Sequence, residues 1–154
     1  MKIRIIAVAK KPQTWMLEAE KDFLNRVKSF AGIDITLIPP SDENSLGSEK
    51  AKSIESQRIL TKISDDDFVI ACEPSGEALS SETFAEIFRT ARDNSSKVIC
   101  VIGGSQGLDS SVLDRASKKI SFSKMTFPHG LFRVVLLEQI YRAFMIMSGK
   151  KYHK

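Results

Sequence analysis

The sequence is poor in cysteine and histidine: its 154 residues include only Cys72, Cys100, His129 and His153 from these two types. Both cysteines lie in apolar, strand-like segments, which predicts buried, reduced thiols in a cytoplasmic protein. Metal sites built from cysteine and histidine need several such residues at characteristic spacings. No such spacing occurs, so we predict no bound metal and no catalytic cysteine.

Long apolar runs are also missing. No stretch approaches the roughly 18 apolar residues that indicate a membrane-spanning helix, so we predict no membrane span. The apolar run at residues 2–9 is short, contains Arg4 and is followed at once by Lys10 and Lys11, which favours a strand over a signal peptide. The length favours one domain, and a hydrophobic content of 42% is enough for one core.

Acidic residues are scarce at the C-terminal end: residues 115–154 contain Glu138 against nine lysines and arginines. The preceding 114 residues contain 14 basic and 18 acidic residues, so a basic quarter follows an acidic body. This uneven distribution indicates a localised anion-binding face. A solvated surface with a basic tail is the alternative, and the charge run alone favours it.

Strand and helix patterns alternate along the chain. Apolar spacing predicts strands at residues 2–9, 33–38, 68–71, 98–102 and 120–122. It predicts helices at residues 14–30, 48–63, 80–91, 110–119 and 131–147, with Ser48 as one of the caps. Loops are predicted at residues 41–47 and 73–76. The alternation predicts an α/β fold in which a mostly parallel sheet is sandwiched by helices.

The last predicted helix, residues 131–147, is apolar over much of its circumference. A helix of that kind is either central to a core or half of a subunit interface. We favour the interface, because a chain of this length has little else to cover both sides of the helix.

A glycine-rich segment, residues 103–107 with the pattern G-G-x-x-G, follows the apolar run at 98–102 directly. Ligands of open α/β sheets bind beyond the carboxyl ends of strands, and glycines let the backbone approach them closely. The pattern is neither the G-x-G-x-x-G of a dinucleotide site nor a Walker loop. By itself it fits a tight turn as well as a ligand loop. Residues 73–76 and 123–128 also follow strands and can converge on the same edge.

Four segments occur in one order: Ile102–Leu108, Ser121–His129, Arg133–Ala143 and Tyr152–Lys154. Together they closely resemble the RlmH (YbeA) family of small SPOUT-class methyltransferases, which methylate N3 of a pseudouridine in 23S ribosomal RNA. The resemblance extends over the whole chain and is densest from Val98 to the C-terminus.

The resemblance implies a single SPOUT domain over residues 1–154, with a C-terminal trefoil knot at about residues 98–154. Such a knot is a rare exception to the rule that chains do not thread loops. The knot loops of the family bind S-adenosylmethionine (AdoMet) in a bent shape. The family also implies a homodimer whose active site is built from both subunits, and 23S rRNA in the assembled ribosome as the substrate.

The family's cofactor positions correspond here to eight residues: Cys72, Gly104, Ser123, Lys124, Met125, Thr126, Phe127 and Pro128. Cys72 stands where the family usually has leucine, and a small apolar side chain still suits the wall of an adenine pocket. The chain ends in His153-Lys154, where some relatives have arginine after the histidine, so a cation is retained.

Three residues near the C-terminus are the predicted catalytic group. Loss of the N3 proton invites a general base, and His153 is the first candidate because an unperturbed imidazole has a pKa of about 6.5. A phosphate or base contact is its alternative role. Tyr152 is predicted to stack on a base or donate from its hydroxyl, or else to pack against a dimer partner. Arg142 is predicted to hold a phosphate or the pseudouridine carbonyls, to pair with Glu138, or both.

Three other functions remain open at this point. A non-catalytic RNA-binding or ribosome-assembly factor would bind RNA without AdoMet, and the intact loops at 73–76 and 123–128 argue against it. A nucleotide-dependent oxidoreductase would bind NAD, and the glycine spacing argues against that. A SPOUT methyltransferase with another RNA target, such as transfer RNA, is made less favourable by the family-specific tail.

Overall fold

A computed structural model of the chain describes residues 1–94 and 97–152. Its strands are β1 (Lys2–Val8), β2 (Gly32–Ile38), β3 (Phe68–Ala78), β4 (Lys97–Ile102) and β5 (Lys118–Ser121). Its helices are α1 (Thr14–Lys28), α2 (Glu43–Leu46), α3 (Ser48–Leu60), α4 (Ser81–Asn94), α5 (Ser110–Arg115) and α6 (His129–Met147). The strands pair in parallel in the order β2-β1-β4-β3-β5. The predicted α/β sandwich with a parallel sheet is confirmed.

Helices cover both faces of the sheet because the central strands carry apolar side chains on both faces. Ile5 of β1 belongs to a core shared with α1, α4 and α6, whereas the next residue, Ile6, belongs to a second core beneath α3 and α5. Both side chains are fully buried. This alternation follows from the two-residue period of a strand, and it leaves the carboxyl edge of the sheet for loops.

Much of the apolar surface of α6 is buried between α1 and α4. Phe144 stacks on Phe30, with ring centroids 5.6 Å apart, and meets Phe88 of α4 edge-on at 6.2 Å. Leu136, Leu137 and other α6 side chains are buried within the same chain. The helix is therefore central to a core within one chain, while Leu131, Val134 and Val135 stay only half-buried. Our preference for a subunit interface as the reason for its composition stays a prediction. The homodimer itself stays a prediction.

A buried ion pair joins α1 to α6. Arg133 Nε donates to Glu20 Oε1 over 2.7 Å, and the two side chains are only 1% and 7% exposed. Arg133 Nη1 and Nη2 are buried and have no hydrogen-bond partner among the described residues. A guanidinium held in this way is expensive in free energy unless something else accepts its hydrogens.

In the structure β3 does not end at residues 73–76, where a turn was predicted. The strand instead runs on to Ala78, because β5 pairs with it on both sides of an irregularity: Ile120 is in register with Cys72 and again with Glu77. A Cβ atom on Gly76 would lie 2.6 Å from the backbone of Ile120. The glycine thus allows a close approach of two strands rather than a turn.

The start of α3 also differs from the prediction that Ser48 caps the helix. Ser48 is its first helical residue, and Gly47 takes the cap position with φ 79° and no side-chain hydrogen bond. The preceding segment, predicted to be a loop, contains α2, whose cap Asp42 accepts a hydrogen bond from the backbone N–H of Asn44. Within residues 1–94 and 97–152, no helix is long and apolar enough to cross a membrane.

Candidate active site

A cleft of about 430 Å³ lies at the carboxyl ends of β4 and β5 and beside residues 72–74 of β3. Its volume is within the range of about 300–1,000 Å³ that is usual for small-molecule sites. Three chain segments meet there, as the sequence predicted: residues 72–74, residues 102–108 and residues 121–127, together with two residues of α6. The lining residues are Cys72, Glu73, Pro74, Ile102, Gly103, Gly104, Ser105, Gln106, Gly107, Leu108, Ser121, Phe122, Ser123, Met125, Thr126, Phe127, His129 and Phe132.

The glycine loop, residues 103–107, closes tightly on itself. The backbone N–H of Gly107 donates to the carbonyl of Gly104 over 3.0 Å, and Gly107 has φ 75°. A Cβ atom on Gly103 would lie 2.5 Å from the backbone of Gly107. Only glycine fits positions 103 and 107 without strain, so the loop can present bare backbone to the cleft.

Two glutamates that sequence reasoning missed support the loop from behind. Glu43 of α2 accepts hydrogen bonds from Ser105 Oγ and from Gln106 Nε2. Glu55 of α3 is 5% exposed, and one of its oxygens would lie 2.6 Å from a Cβ atom on Gly104. These contacts join residues more than 40 positions apart, and no local pattern in the sequence signals them.

The loop at residues 121–128 forms the opposite wall. Ser123 Oγ accepts from the backbone N–H of Met125 over 2.9 Å, and Ser121 Oγ donates to the Ser123 carbonyl over 3.1 Å. Phe132 of α6 supports this wall edge-on against Phe122, with centroids 5.1 Å apart. The Met125 side chain is 77% exposed at the rim. The wall is therefore fixed at its base and apolar at its open edge.

Cys72 provides an uncharged, apolar part of the cleft. Burial raises the pKa of its thiol well above the ordinary value, and the nearby Cys100 raises it further. Burial also raises the pKa of Cys100 to about 12. Because the thiolate is the reactive form of cysteine, both residues are inert near neutral pH. The prediction of buried thiols is confirmed.

The cleft brings together six of the eight predicted cofactor residues: Cys72, Gly104, Ser123, Met125, Thr126 and Phe127. Lys124 is exposed and lies outside the lining, as does Pro128, which occupies the cap position of α6. His129 both begins α6 and lines the cleft.

Two of the three predicted catalytic residues, Arg142 and Tyr152, lie outside the cleft lining; with Glu138 they form what we call the tail cluster. Arg142 donates to Glu138 Oε1 from Nη2 over 2.6 Å, and the Tyr152 hydroxyl donates to the same oxygen over 3.2 Å. The guanidinium lies 4.9 Å from the centre of the Tyr152 ring. Partial burial and the Glu138 charge raise the pKa of Tyr152.

The tail cluster and the cleft have no residue in common. Arg142 pairs with Glu138 at the i,i+4 spacing expected from the sequence. Tyr152 packs edge-on against Tyr141, with centroids 4.9 Å apart. His153 and Lys154 lie outside the described residues, so the role of His153 stays a prediction.

Over its whole length, the chain is similar to proteins of one known family. Residues 1–153 match the protein family described as "Predicted SPOUT methyltransferase". The chain is also similar to Ribosomal RNA large subunit methyltransferase H of Enterococcus faecalis (strain ATCC 700802 / V583). The two are 40% identical over 159 residues, an alignment that covers 100% of each chain.

Proposed function

The chain belongs to the SPOUT methyltransferase family, and from that premise we propose that it transfers a methyl group from AdoMet to N3 of a pseudouridine in 23S rRNA of the assembled ribosome. The observation that carries the proposal is the cleft, which gathers the glycine loop and the wall at residues 121–128 at one edge of the sheet. The Enterococcus relative is a ribosomal RNA methyltransferase by name, which supports ribosomal RNA as the substrate.

The residues of the cleft fit AdoMet chemically. Cys72, Ile102 and Leu108 offer apolar surface for a base, and the glycine loop offers backbone donors and acceptors for polar groups. Ser123, Thr126 and the backbone around them would hold the remainder of the molecule. When bound, AdoMet supplies a methyl group that its sulfonium has already activated.

The protein's own contribution is position and proton removal. Fixing N3 in line with the methyl group while excluding water supplies about 7–11 kcal/mol of barrier reduction. The proton on N3 passes to a general base, for which His153 is our candidate. Arg142 and Tyr152 hold the target nucleotide by hydrogen bonding and stacking.

The cleft and the tail cluster are separate within one chain, and a homodimer would bring the cleft of one subunit to the tail cluster of the other. In our proposal the C-terminal residues of one subunit complete the cleft of the other, so Tyr152 and His153 act across the interface. Lys150, Lys151 and Lys154 then add positive charge where rRNA phosphates approach.

The deciding experiment supplies labelled AdoMet with ribosomes that carry the pseudouridine but lack its methyl group, followed by mapping of the labelled nucleotide. Label on N3 of one 23S pseudouridine is the expected result. AdoMet binding without any label would retain the cofactor site and reject the substrate. RNA binding with neither label nor AdoMet binding would favour the alternative, a non-catalytic RNA-binding or ribosome-assembly factor.

Truncation after Lys150 tests the C-terminal residues separately. We expect AdoMet binding to persist and methyl transfer to fall below detection, because Tyr152 and His153 are removed while the cleft is intact. Unchanged methyl transfer by the truncated protein would show that our roles for these residues are wrong.

A further inference from the structure

A second pocket, of about 210 Å³, opens beside the cleft at the start of α6. We call it the lysine–arginine pocket; its walls are residues 9–13, Met16, His129, Gly130 and Arg133. Lys10 and Lys11 are exposed at its rim, whereas Arg133 is 1% exposed. Among the described residues, no carboxylate belongs to this wall, so the pocket is cationic.

Arg133 is the observation that calls for a ligand. Its Nε is satisfied by Glu20, but Nη1 and Nη2 are buried and have no acceptor among the described residues. Buried groups of this kind normally have a partner, which is often a water or an ion. Glu20 compensates one positive charge, which leaves the two lysine charges of the pocket uncompensated within its walls.

The start of α6 adds to the positive electrostatic potential of the pocket. The helix has 19 residues, its cap Pro128 makes no side-chain hydrogen bond, and His129 and Gly130 at its first turn belong to the pocket wall. The amino end of a helix carries positive partial charge and free N–H groups, so it attracts anions. A buried guanidinium, two lysines and this helix end thus face one small space.

We propose that the lysine–arginine pocket binds a phosphate of the RNA backbone next to the nucleotide that is methylated. The inference rests on the proposed function, because His129 belongs to the walls of both the pocket and the cleft. A phosphate held there lies close to the methyl-transfer site and fixes the register of the RNA.

A neighbouring aromatic residue favours RNA over a small anion. Trp15 is 51% exposed, and its Nε1 donates to Gln13 Oε1 over 2.8 Å, which holds the indole beside the pocket. An exposed indole next to basic residues is the combination on which unpaired bases stack while their phosphates are neutralised.

The test compares wild-type protein with the double variant Lys10→Gln/Lys11→Gln. The matched control is Lys50→Gln/Lys62→Gln, since both of these lysines are exposed and α3 covers the opposite face of the sheet. The Kd for undermethylated ribosomes is measured by co-sedimentation at several salt concentrations, and methyl transfer is measured in parallel. AdoMet affinity without RNA and the oligomeric state are also measured.

We expect the pocket variant to bind ribosomes more weakly, with a salt slope shallower by about 1.4 for two lost contacts. The ratio of the variant's Kd to the wild-type Kd should therefore fall by about sevenfold as the salt concentration rises from about 50 to 200 mM. Its KM for ribosomes rises while kcat stays within about twofold of wild type. The control variant keeps the wild-type slope and KM.

Three results would overturn the phosphate site. An unchanged salt slope in an active protein would show that the lysines do not meet RNA. Weaker AdoMet binding in the absence of RNA would assign the pocket to the carboxylate of the cofactor. Loss of the oligomer in the variant would assign it to a second copy of the chain. Absence of methyl transfer by wild-type protein would instead reject the proposed function.

Discussion

Replacing Gly103 with alanine tests the glycine loop most directly, because the added methyl group would meet backbone atoms. The new Cβ would lie 2.5 Å from both C and O of Gly107 and 2.9 Å from N of Leu108, whereas ordinary contacts begin at 3.4 Å. Backbone atoms cannot rotate away as a side chain can. The loop must therefore widen by about 0.9 Å.

The size of the effect follows from two opposing terms. Overpacking of this kind destabilises a folded protein by about 1–3 kcal/mol. The lower entropy of the unfolded alanine chain offsets about 0.4–1 kcal/mol. Because the clash is with backbone, we expect a net loss near the upper end, about 2 kcal/mol. For a chain of this length that corresponds to a fall in Tm of about 4–8 °C.

Thermal unfolding followed by circular dichroism measures the change in Tm, and calorimetry measures AdoMet binding well below that temperature. We expect AdoMet affinity to fall at least tenfold (about 1.4 kcal/mol), because the displaced loop is a wall of the cleft. Gly32→Ala is the control: its Cβ would have Lys2 Cγ at 4.0 Å as its nearest neighbour, so its Tm should equal or slightly exceed that of wild type. A Gly103→Ala protein with wild-type Tm and affinity would refute this account of the loop.

Three further predictions concern buried or paired groups. Arg133→Met should lower the free energy of unfolding by about 3–5 kcal/mol, because it leaves the Glu20 carboxylate buried and unpaired. Adding Glu20→Gln should recover at least half of that loss in urea unfolding; no recovery would show that the charge is not the cause. The pKa of Cys100 is raised from 9.0 to about 12 in the folded protein. Above pH 9 the unfolded thiol therefore loses its proton while the folded one keeps it. The contribution of Cys100 to the free energy of unfolding then falls by about 1.4 kcal/mol per pH unit. The unfolding free energies of wild type and Cys100→Ala should therefore converge or cross between about pH 9 and pH 11, and parallel pH profiles would contradict this. Glu138→Gln weakens the acceptor that Arg142 shares with Tyr152, so it should lower the free energy of unfolding by about 1 kcal/mol. We also expect kcat to fall at least tenfold while AdoMet affinity is unchanged. An unchanged kcat would remove the tail cluster from the mechanism.

Local sequence patterns were sufficient to predict most of the strands and helices and the parallel sheet. The apolar run at 98–102 and the glycines after it predicted β4 and its loop, because strand ends and tight turns are determined by neighbouring residues. The six cofactor residues that meet in the cleft came from the family resemblance, and the parallel sheet brought their segments together.

Local sequence patterns gave wrong or no predictions where contacts between distant parts of the chain determine the structure. Pro74 and Gly76 favour a turn locally, but pairing with β5 carries β3 through them. The hydrogen bonds from the glycine loop to Glu43 span more than 60 positions and have no local signature. The composition of α6 could not distinguish a core from a subunit interface, because both require the same apolar side chains.

The ion pair between Glu20 and Arg133 also has a consequence for synthesis. Its partners are 113 positions apart, and at about 5–20 residues per second the nascent chain carries α1 for roughly 6–23 s before Arg133 exists. During that interval the apolar side of α1 has no α6 to cover it. The core beneath α1, α4 and α6 should therefore close only when translation is nearly complete, and protease resistance of α1 should appear only in nascent chains that include α6. Termination before α6 would leave a fragment with exposed apolar surface, which cellular quality control would be expected to remove.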